Sequence, residues 1–211
     1  MTNLSKWRVN YPDSSLIMDN MPECPFILFQ QWLDKAISDG VLEPNAMTLS
    51  TINDRCPESR MVLLKDFNED GFIFFTNYNS AKGKQILKNK NVSLCFWWPN
   101  SHRQVRINGE ISKISSAKSD AYFNTRDRDT QIGAWASNQS IQIENYKTLI
   151  DQNNVKLDKF AGKVVTRPQH WGGYIIKPVK LEFWQGRHSR LHDRVLFVLN
   201  NEKWSTSRLS P

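Results

Sequence analysis

The chain has 211 residues, 39% of them hydrophobic and 23% charged, which suits a soluble globular protein with a real core. A net charge of +7 favours anionic partners, yet the cations are scattered rather than gathered in a tail, which argues against nucleic acid. Cys24, Cys56 and Cys95 are odd in number and lack paired spacing, which argues against a disulfide framework or a zinc site and for a reducing cytoplasmic setting. No apolar run nears the length of a membrane span, so no membrane partner is expected.

Residues 1–24 are polar and broken by Pro12 and Pro22, and read as an arm or lid. Pro25 opens a helix whose stripe of Phe26, Phe29, Trp32, Leu33 and Ile37 is closed by Gly40. Short strands are expected at 47–52, 61–65 and 72–77, the last two joined through Asn68-Glu69-Asp70-Gly71. Ser80 caps a Lys-rich helix running to about residue 90. Strands follow at 92–98 and 104–114, and Ser115 or Ser116 then starts a helix through Phe123. Residues 127–143 carry mixed signals, while 144–160 has a weaker helical period. Residues 173–176, 180–185 and 195–199 read as strands. Many short strands with few helices predict a mainly β fold, an antiparallel barrel with flanking helices.

The chemistry must be carried by side chains. There is no GxGxxG or glycine-rich phosphate loop, and neither GxSxG nor HExxH occurs. Residues 182–194 are the densest cluster: Glu182-Phe183-Trp184-Gln185-Gly186 leads into Arg187, His188, Arg190, His192, Asp193 and Arg194. Aromatic walls, guanidinium forks and imidazoles in such company suit a flat anionic ligand. Upstream, Arg60-Met61-Val62-Leu63-Leu64-Lys65 is an apolar run bracketed by cations, which strand parity puts on opposite faces. Tyr122, Arg126 and Thr130 recur at i, i+4 and i+8. On a continuous helix they would share a face and offer a phenol, a guanidinium and a hydroxyl to a phosphate monoester. Gln139 and Ser140 could meet the polar edge of a heteroaromatic ring or form an ordinary capped turn. Lys82 sits in the first turn after Ser80, beside Thr76.

Taken together, these segments resemble the pyridoxamine 5′-phosphate oxidase family, from about residue 25 to Pro211. The likeness rests on Arg60 to Lys65, Phe75-Thr76-Asn77, Arg103-Gln104-Val105, the stretch from Tyr122 to Ser140, Trp171-Gly172-Gly173, Glu182 to Gly186, Arg190 to Arg194, and Arg208-Leu209-Ser210-Pro211. It implies an FMN-binding split β-barrel of Greek-key type, working as a homodimer with FMN at the subunit interface. An arm over 1–24, a barrel domain over 25–165 and a C-terminal dimerisation and active-site segment over 166–211 would follow. By the same resemblance FMN would be held by Arg60, Met61, Val62, Leu63, Leu64, Lys65, Phe75, Thr76, Lys82, Gln104, Gln139, Ser140, Trp184 and Arg194. The substrate would meet Arg8, Tyr11, Lys65, Tyr122, Arg126, Thr130, Arg190, Leu191 and His192, with Arg190 and His192 catalytic.

The implied reaction is oxidation of pyridoxamine or pyridoxine 5′-phosphate to pyridoxal 5′-phosphate, with O2 as acceptor and peroxide released. Two alternatives stay open: an oxidase on the same barrel acting on another aromatic metabolite, as in phenazine pathways, and a non-catalytic binder of flavin or haem. The chain departs from the family pattern at four site positions. Ala81 stands where an Arg is usual, Phe75 where a Tyr is common, and Thr130 where a Ser is common. Asp127 adds negative charge beside the phosphate trio. The arm also differs, with Pro12-Asp13-Ser14-Ser15 where glycines are usual.

Overall fold

The structure is a computed structural model that describes residues 3–7, 9–11, 16 and 21–211. The expectations for Arg8 and for 12–15 lie outside the described residues. Among the described residues five α-helices and nine strands follow in chain order: α1 (Pro25–Ser38), β1 (Ala46–Asn53), β2 (Cys56–Leu63), β3 (Asp66–Asn68), β4 (Gly71–Asn77), α2 (Ala81–Lys88) and β5 (Asn91–Trp98) come first. Then come β6 (Arg103–Lys113), α3 (Ser116–Asn124), α4 (Arg128–Ala136), α5 (Tyr146–Phe160), β7 (Trp171–Gln185), β8 (Asp193–Asn200) and β9 (Lys203–Leu209). The strands form one sheet ordered β2-β1-β5-β6-β7-β4-β3, with β8 added to β7 and β9 to β8. The chain divides into two compact units, residues 1–49, 93–109 and 178–211 in one, and residues 50–92 and 110–177 in the other.

The first unit is built on α1. Pro25 occupies the first helical turn, where its missing N–H costs nothing, and Gly40 ends the helix with φ +71°. Phe29 packs on Phe96 with centroids 5.1 Å apart, and Trp32 on Phe183 at 5.2 Å. Burying rings of this size contributes about 2 kcal/mol each. Leu28 and Ala36 join the buried stripe, whereas Ile37 is exposed. The stripe follows 29, 32, 33 and 36, which leaves residue 37 at its edge.

Two strand expectations need correction. Residues 173–176 and 180–185 are one strand, β7, running through Pro178. Its partner changes there: β4 pairs with Trp171 to Ile176, and β8 with Lys180 to Gln185. Proline lacks a donor, and it falls between the segments of β7 paired with β4 and with β8. The polar strand β9 was not anticipated. It pairs antiparallel with β8 through a tight turn in which Asn201 and Glu202 take φ +46° and +65°, the left-handed pair of a two-residue hairpin.

In the second unit β4 is buried almost throughout and pairs with β7 in the register Phe72↔Ile176 to Asn77↔Trp171. Phe74 stacks on Tyr174 at 5.8 Å. Burial raises the Tyr174 phenol to about 12. α3, α4 and α5 enclose a second cluster of Phe123, Ile132, Phe160, Val165 and Trp171. Residues 127–143, mixed in signal, contain the helix α4.

Candidate active site

A cleft of about 580 Å³ opens in the second unit. One wall is Met61, Val62 and Leu63 of β2, continued by Lys65. β4 supplies Phe75, Thr76 and Asn77, and α2 supplies Lys82. Tyr122, Arg126 and Thr130 close the opposite side, with Ser137, Gln139 and Trp171 near them. Residues more than a hundred positions apart therefore meet in one hollow.

Lys82 is held there by local structure. The Ser80 side chain accepts from the Gly83 N–H and starts α2, which places Lys82 in the first turn. Its Nζ donates to Thr76 Oγ1 at 3.2 Å, and the side chain is only 8% exposed. Burial, and then the neighbouring Arg60, draw its pKa below that of a free lysine. No carboxylate of the described residues pairs with it. A buried cation with one neutral partner and a like charge nearby is stabilised by an arriving anion.

Arg126 is in a similar condition. Its Cζ lies 4.5 Å from the Trp171 ring centroid, and its Nη1 is buried with no hydrogen-bond partner. Burial lowers its pKa, with Tyr122 opposing. A buried donor left unmet is costly, so the geometry is poised for an external acceptor. The helix expected through Phe123 does not continue to Thr130, so Tyr122, Arg126 and Thr130 do not share one helical face. α3 ends at Asn124 and α4 starts at Arg128. Thr125 Oγ1 donates to the Tyr122 carbonyl and Thr130 Oγ1 to the Asp127 carbonyl, so short polar side chains compete for the backbone at the break. Tyr122, Arg126 and Thr130 still line the same cleft, reaching it from two helices and the turn between them.

Other expected residues fall elsewhere. Arg60 does not line the cleft that Lys65 lines, and β2 ends at Leu63, before Lys65. The Arg60 guanidinium donates to Thr51 Oγ1, to Gln85 Oε1 at 3.0 Å and to the Glu58 carbonyl at 3.0 Å, with the Glu58 carboxylate at 3.4 Å. Hydrogen bonds from Gln85 and Asn53 hold that carboxylate below its usual range. Leu64 is in the core. Ser140 lines a smaller cavity of about 340 Å³, which Gln139 also touches. Trp135 and Gln131 serve the scaffold: the Trp135 Nε1–H donates to the Thr166 carbonyl at 2.7 Å, and Gln131 Nε2 to the Phe123 carbonyl at 3.0 Å.

The first unit holds the rest: Tyr11, Gln104, Trp184, Arg190, Leu191, His192 and Arg194. Trp184 and His192 have centroids 4.5 Å apart, and Tyr11 lies 5.9 Å from His192 and 4.5 Å from His102. The Arg187 N–H donates to His192 Nδ1 at 3.1 Å, which places the proton of the neutral ring on Nε2. Burial, and then Arg190, lower the His192 pKa. Arg194 is paired with Glu182 at 2.9 Å, and Arg106 joins the same carboxylate at 3.2 Å. Asp193 takes Arg187 at 3.3 Å and Arg208 at 3.5 Å. Ser189 and Arg190 have φ of +56° and +64°. Left-handed conformations at two successive residues with side chains cost about 1–3 kcal/mol each and cluster at functional segments. Gln104 is half-buried on β6, and Leu191 is exposed.

The residues present fit a phosphorylated cofactor beside a phosphorylated substrate. Lys82 with Thr76 could seat one anion, and Arg126 with Tyr122, Thr130 and Lys65, which line the same cleft, could seat another. The sheet, its flanking helices and this cleft define a flavoprotein of the split-barrel class. Residues 33–154 match the family described as pyridoxamine 5′-phosphate oxidase, and residues 171–211 the pyridoxine 5′-phosphate oxidase C-terminal dimerisation region. The chain belongs to the pyridoxine/pyridoxamine 5′-phosphate oxidase family, and is accordingly an FMN-dependent oxidase of B6 vitamer phosphates with the family's dimerisation region.

The similarity runs the whole length. A pyridoxine/pyridoxamine 5′-phosphate oxidase of Microcystis aeruginosa is 46% identical over 211 residues, covering 99% of each chain. That of Nostoc punctiforme is 50% identical over 189 residues, 89% of this chain and 88% of the other. Among solved structures, PhzG from Burkholderia lata in complex with tetrahydrophenazine-1-carboxylic acid superposes with a TM-score of 0.88 at 26% identity, covering 94% of this chain and 99% of that one. Trp171 and Asn77 also line the cleft, although no role had been assigned to either. The motif Trp171-Gly172-Gly173 was the available signal for the first.

Proposed function

We infer that the cleft of the second unit is where this oxidase grips its two phosphate groups. Lys82 and Thr76 hold the flavin phosphate, and Lys65, Tyr122, Arg126 and Thr130 hold that of pyridoxamine or pyridoxine 5′-phosphate. The observation that carries this reading is that one cleft holds a buried Lys82 and a half-buried Arg126 whose Nη1 is enclosed, neither with a carboxylate partner among the described residues. Each phosphate brings a charge near −2 and several strong acceptors, which meets both deficits. Met61, Val62 and Leu63 form the apolar wall that excludes water from the ring system.

FMN, when bound, supplies the two-electron chemistry and passes the electrons to O2. The protein's part is alignment. Arg126 and Lys65 anchor the substrate by its phosphate and leave its ring to be steered by the remaining contacts. Arg190 and His192 are assigned to that ring, Arg190 as the polarising charge and His192 as an orienting or proton-moving group. The neutral tautomer, with its proton on Nε2, supports a donor role for His192. Trp184, Arg194, Gln104, Gln139 and Ser140 are assigned to FMN, Tyr11 and Leu191 to the substrate, and FMN itself to the interface of the homodimer. The three free cysteines support a cytoplasmic setting.

A phenazine-type substrate is the second reading, supported by the likeness to PhzG. It leaves the Arg126 side of the cleft without a phosphate to hold. Peroxide release decides between them. Pyridoxamine 5′-phosphate should be oxidised with a KM at least tenfold below that of pyridoxamine. Equal use of the two amines would dismiss the phosphate grip.

A further inference from the structure

Strand register builds an aromatic shelf beside the phosphate grip. Phe75 on β4 faces Gly173 on β7, and Asn77 faces Trp171. Phe75 and Trp171 are thus diagonal neighbours on one face of the sheet. Their rings are 14° from parallel with centroids at 5.6 Å. Tyr122 completes the stack from α3, at 3.8 Å and 13° from Phe75 and at 6.2 Å and 7° from Trp171. The glycine opposite Phe75 makes room for this. A Cβ on Gly173 would stand 2.9 Å from Phe75 Cε1 and 2.4 Å from Ile114 Cδ1. Gly172 is required separately, because its Cβ would meet the Tyr78 hydroxyl at 2.2 Å.

Arg126 lies against the same shelf, with Cζ 4.5 Å from the centroid of Trp171 and 5.8 Å from that of Phe123. A guanidinium resting on a ring face is restricted before its ligand arrives, so less side-chain freedom is lost on binding. The stack does the same for the Tyr122 hydroxyl. Phe75 suits this task without a hydroxyl of its own, since a ring pressed face to face at 3.8 Å has no polar atom to satisfy.

We propose that Phe75 and Trp171 are positioning residues that hold Tyr122 and Arg126 in the geometry for a phosphate monoester, and so set the preference for phosphorylated over unphosphorylated pyridines. Phe75 then acts as a brace for the substrate's phosphate. The idea rests on Tyr122, Arg126 and Thr130 being the phosphate contacts.

The test is equilibrium binding of pyridoxal 5′-phosphate and of pyridoxal to the FMN-loaded protein. Trp171→Leu should weaken the phosphorylated ligand on the order of tenfold, the worth of a desolvated cation–ring contact, and leave pyridoxal unchanged. Trp171→Phe keeps a ring face and should recover most of the loss. In turnover KM should rise more than kcat falls. Should Trp171→Leu fail to fold, Arg126→Lys serves instead, because it keeps the charge but has no plane to lay on the ring, and the same selective loss is expected. Equal losses for both ligands, or wild-type phosphate affinity in Arg126→Lys, would overturn the proposal and leave the phosphate grip standing. A wild-type protein that binds the two ligands equally would remove the grip and the shelf's role together.

Discussion

The arginines around Glu182 and Asp193 in the first unit and the cations of the cleft in the second meet opposite company. In the first, Arg194 and Arg106 share Glu182, and Arg187 and Arg208 share Asp193, each carboxylate being nearly buried. In the cleft of the second, Lys82 has only a threonine hydroxyl, and Arg126 leaves one nitrogen unmet. Cations that carry their own anions brace a fold; cations buried without them are waiting for a ligand. A count of Lys and Arg cannot separate the two kinds. Their neighbours do.

The largest effect expected of this contrast is on stability. Asp193→Ala would strip two arginines of their shared carboxylate and the Leu16 N–H of its acceptor. A loss of about 3 kcal/mol is expected, discounted to the low end because the arginines are partly exposed. Thermal unfolding should move down by roughly 6–12 °C. If the melting temperature held, Asp193 would not be a brace.

Arg126→Ala makes the opposite change. It should spare the melting temperature and raise KM for pyridoxamine 5′-phosphate by about a hundredfold, the value of a charged contact near 2–3 kcal/mol. A lowered melting temperature with an unaltered KM would reverse the comparison. Lys82→Ala should weaken FMN by roughly tenfold while leaving riboflavin, which lacks the phosphate, bound as before. Fluorescence quenching of the two flavins reads the difference directly.

The smallest effect is on pH. The lowered pKa of His192 means the unfolded chain binds a proton there more readily than the folded one. Its contribution to stability is therefore present above the ordinary histidine value near 6.5 and is lost as pH falls from there through the folded value. Arg190→Gln removes the lesser cause of the shift. The acid limb of the rate profile should then move to higher pH, but only in part, because burial remains. An unmoved limb would show that His192 does not govern it.

Much was legible because its signals are local. Pro25 and Gly40 bound α1, Ser80 caps α2, a continuous apolar run marks β4 and alternation marks β5, each within a few residues along the chain. Site chemistry was legible wherever residue type alone decides it, as with Lys82 beside Thr76 and the phenol, guanidinium and hydroxyl of Tyr122, Arg126 and Thr130. The sequence does not settle the break between α3 and α4, because residues 127–143 carry mixed signals and Thr125, whose hydroxyl takes the Tyr122 carbonyl, sits at the helix end. β9 was missed because an exposed edge strand needs no apolar run, only a partner, which β8 supplies across a two-residue turn, Asn201-Glu202, that lacks the usual glycine.

By itself the amino-acid order determined the family, the kinds of side chain available for two phosphates, and most element starts and stops, since these depend on residue identity and near neighbours. Only the tertiary structure decided which cations are neutralised and which are not. That outcome depends on pairings between distant residues, such as Arg60 of β2 with Gln85 of α2, or Arg126 after α3 with Trp171 of β7. Burial then raises the cost of every unmet charge, and so turns the arrangement into a binding site.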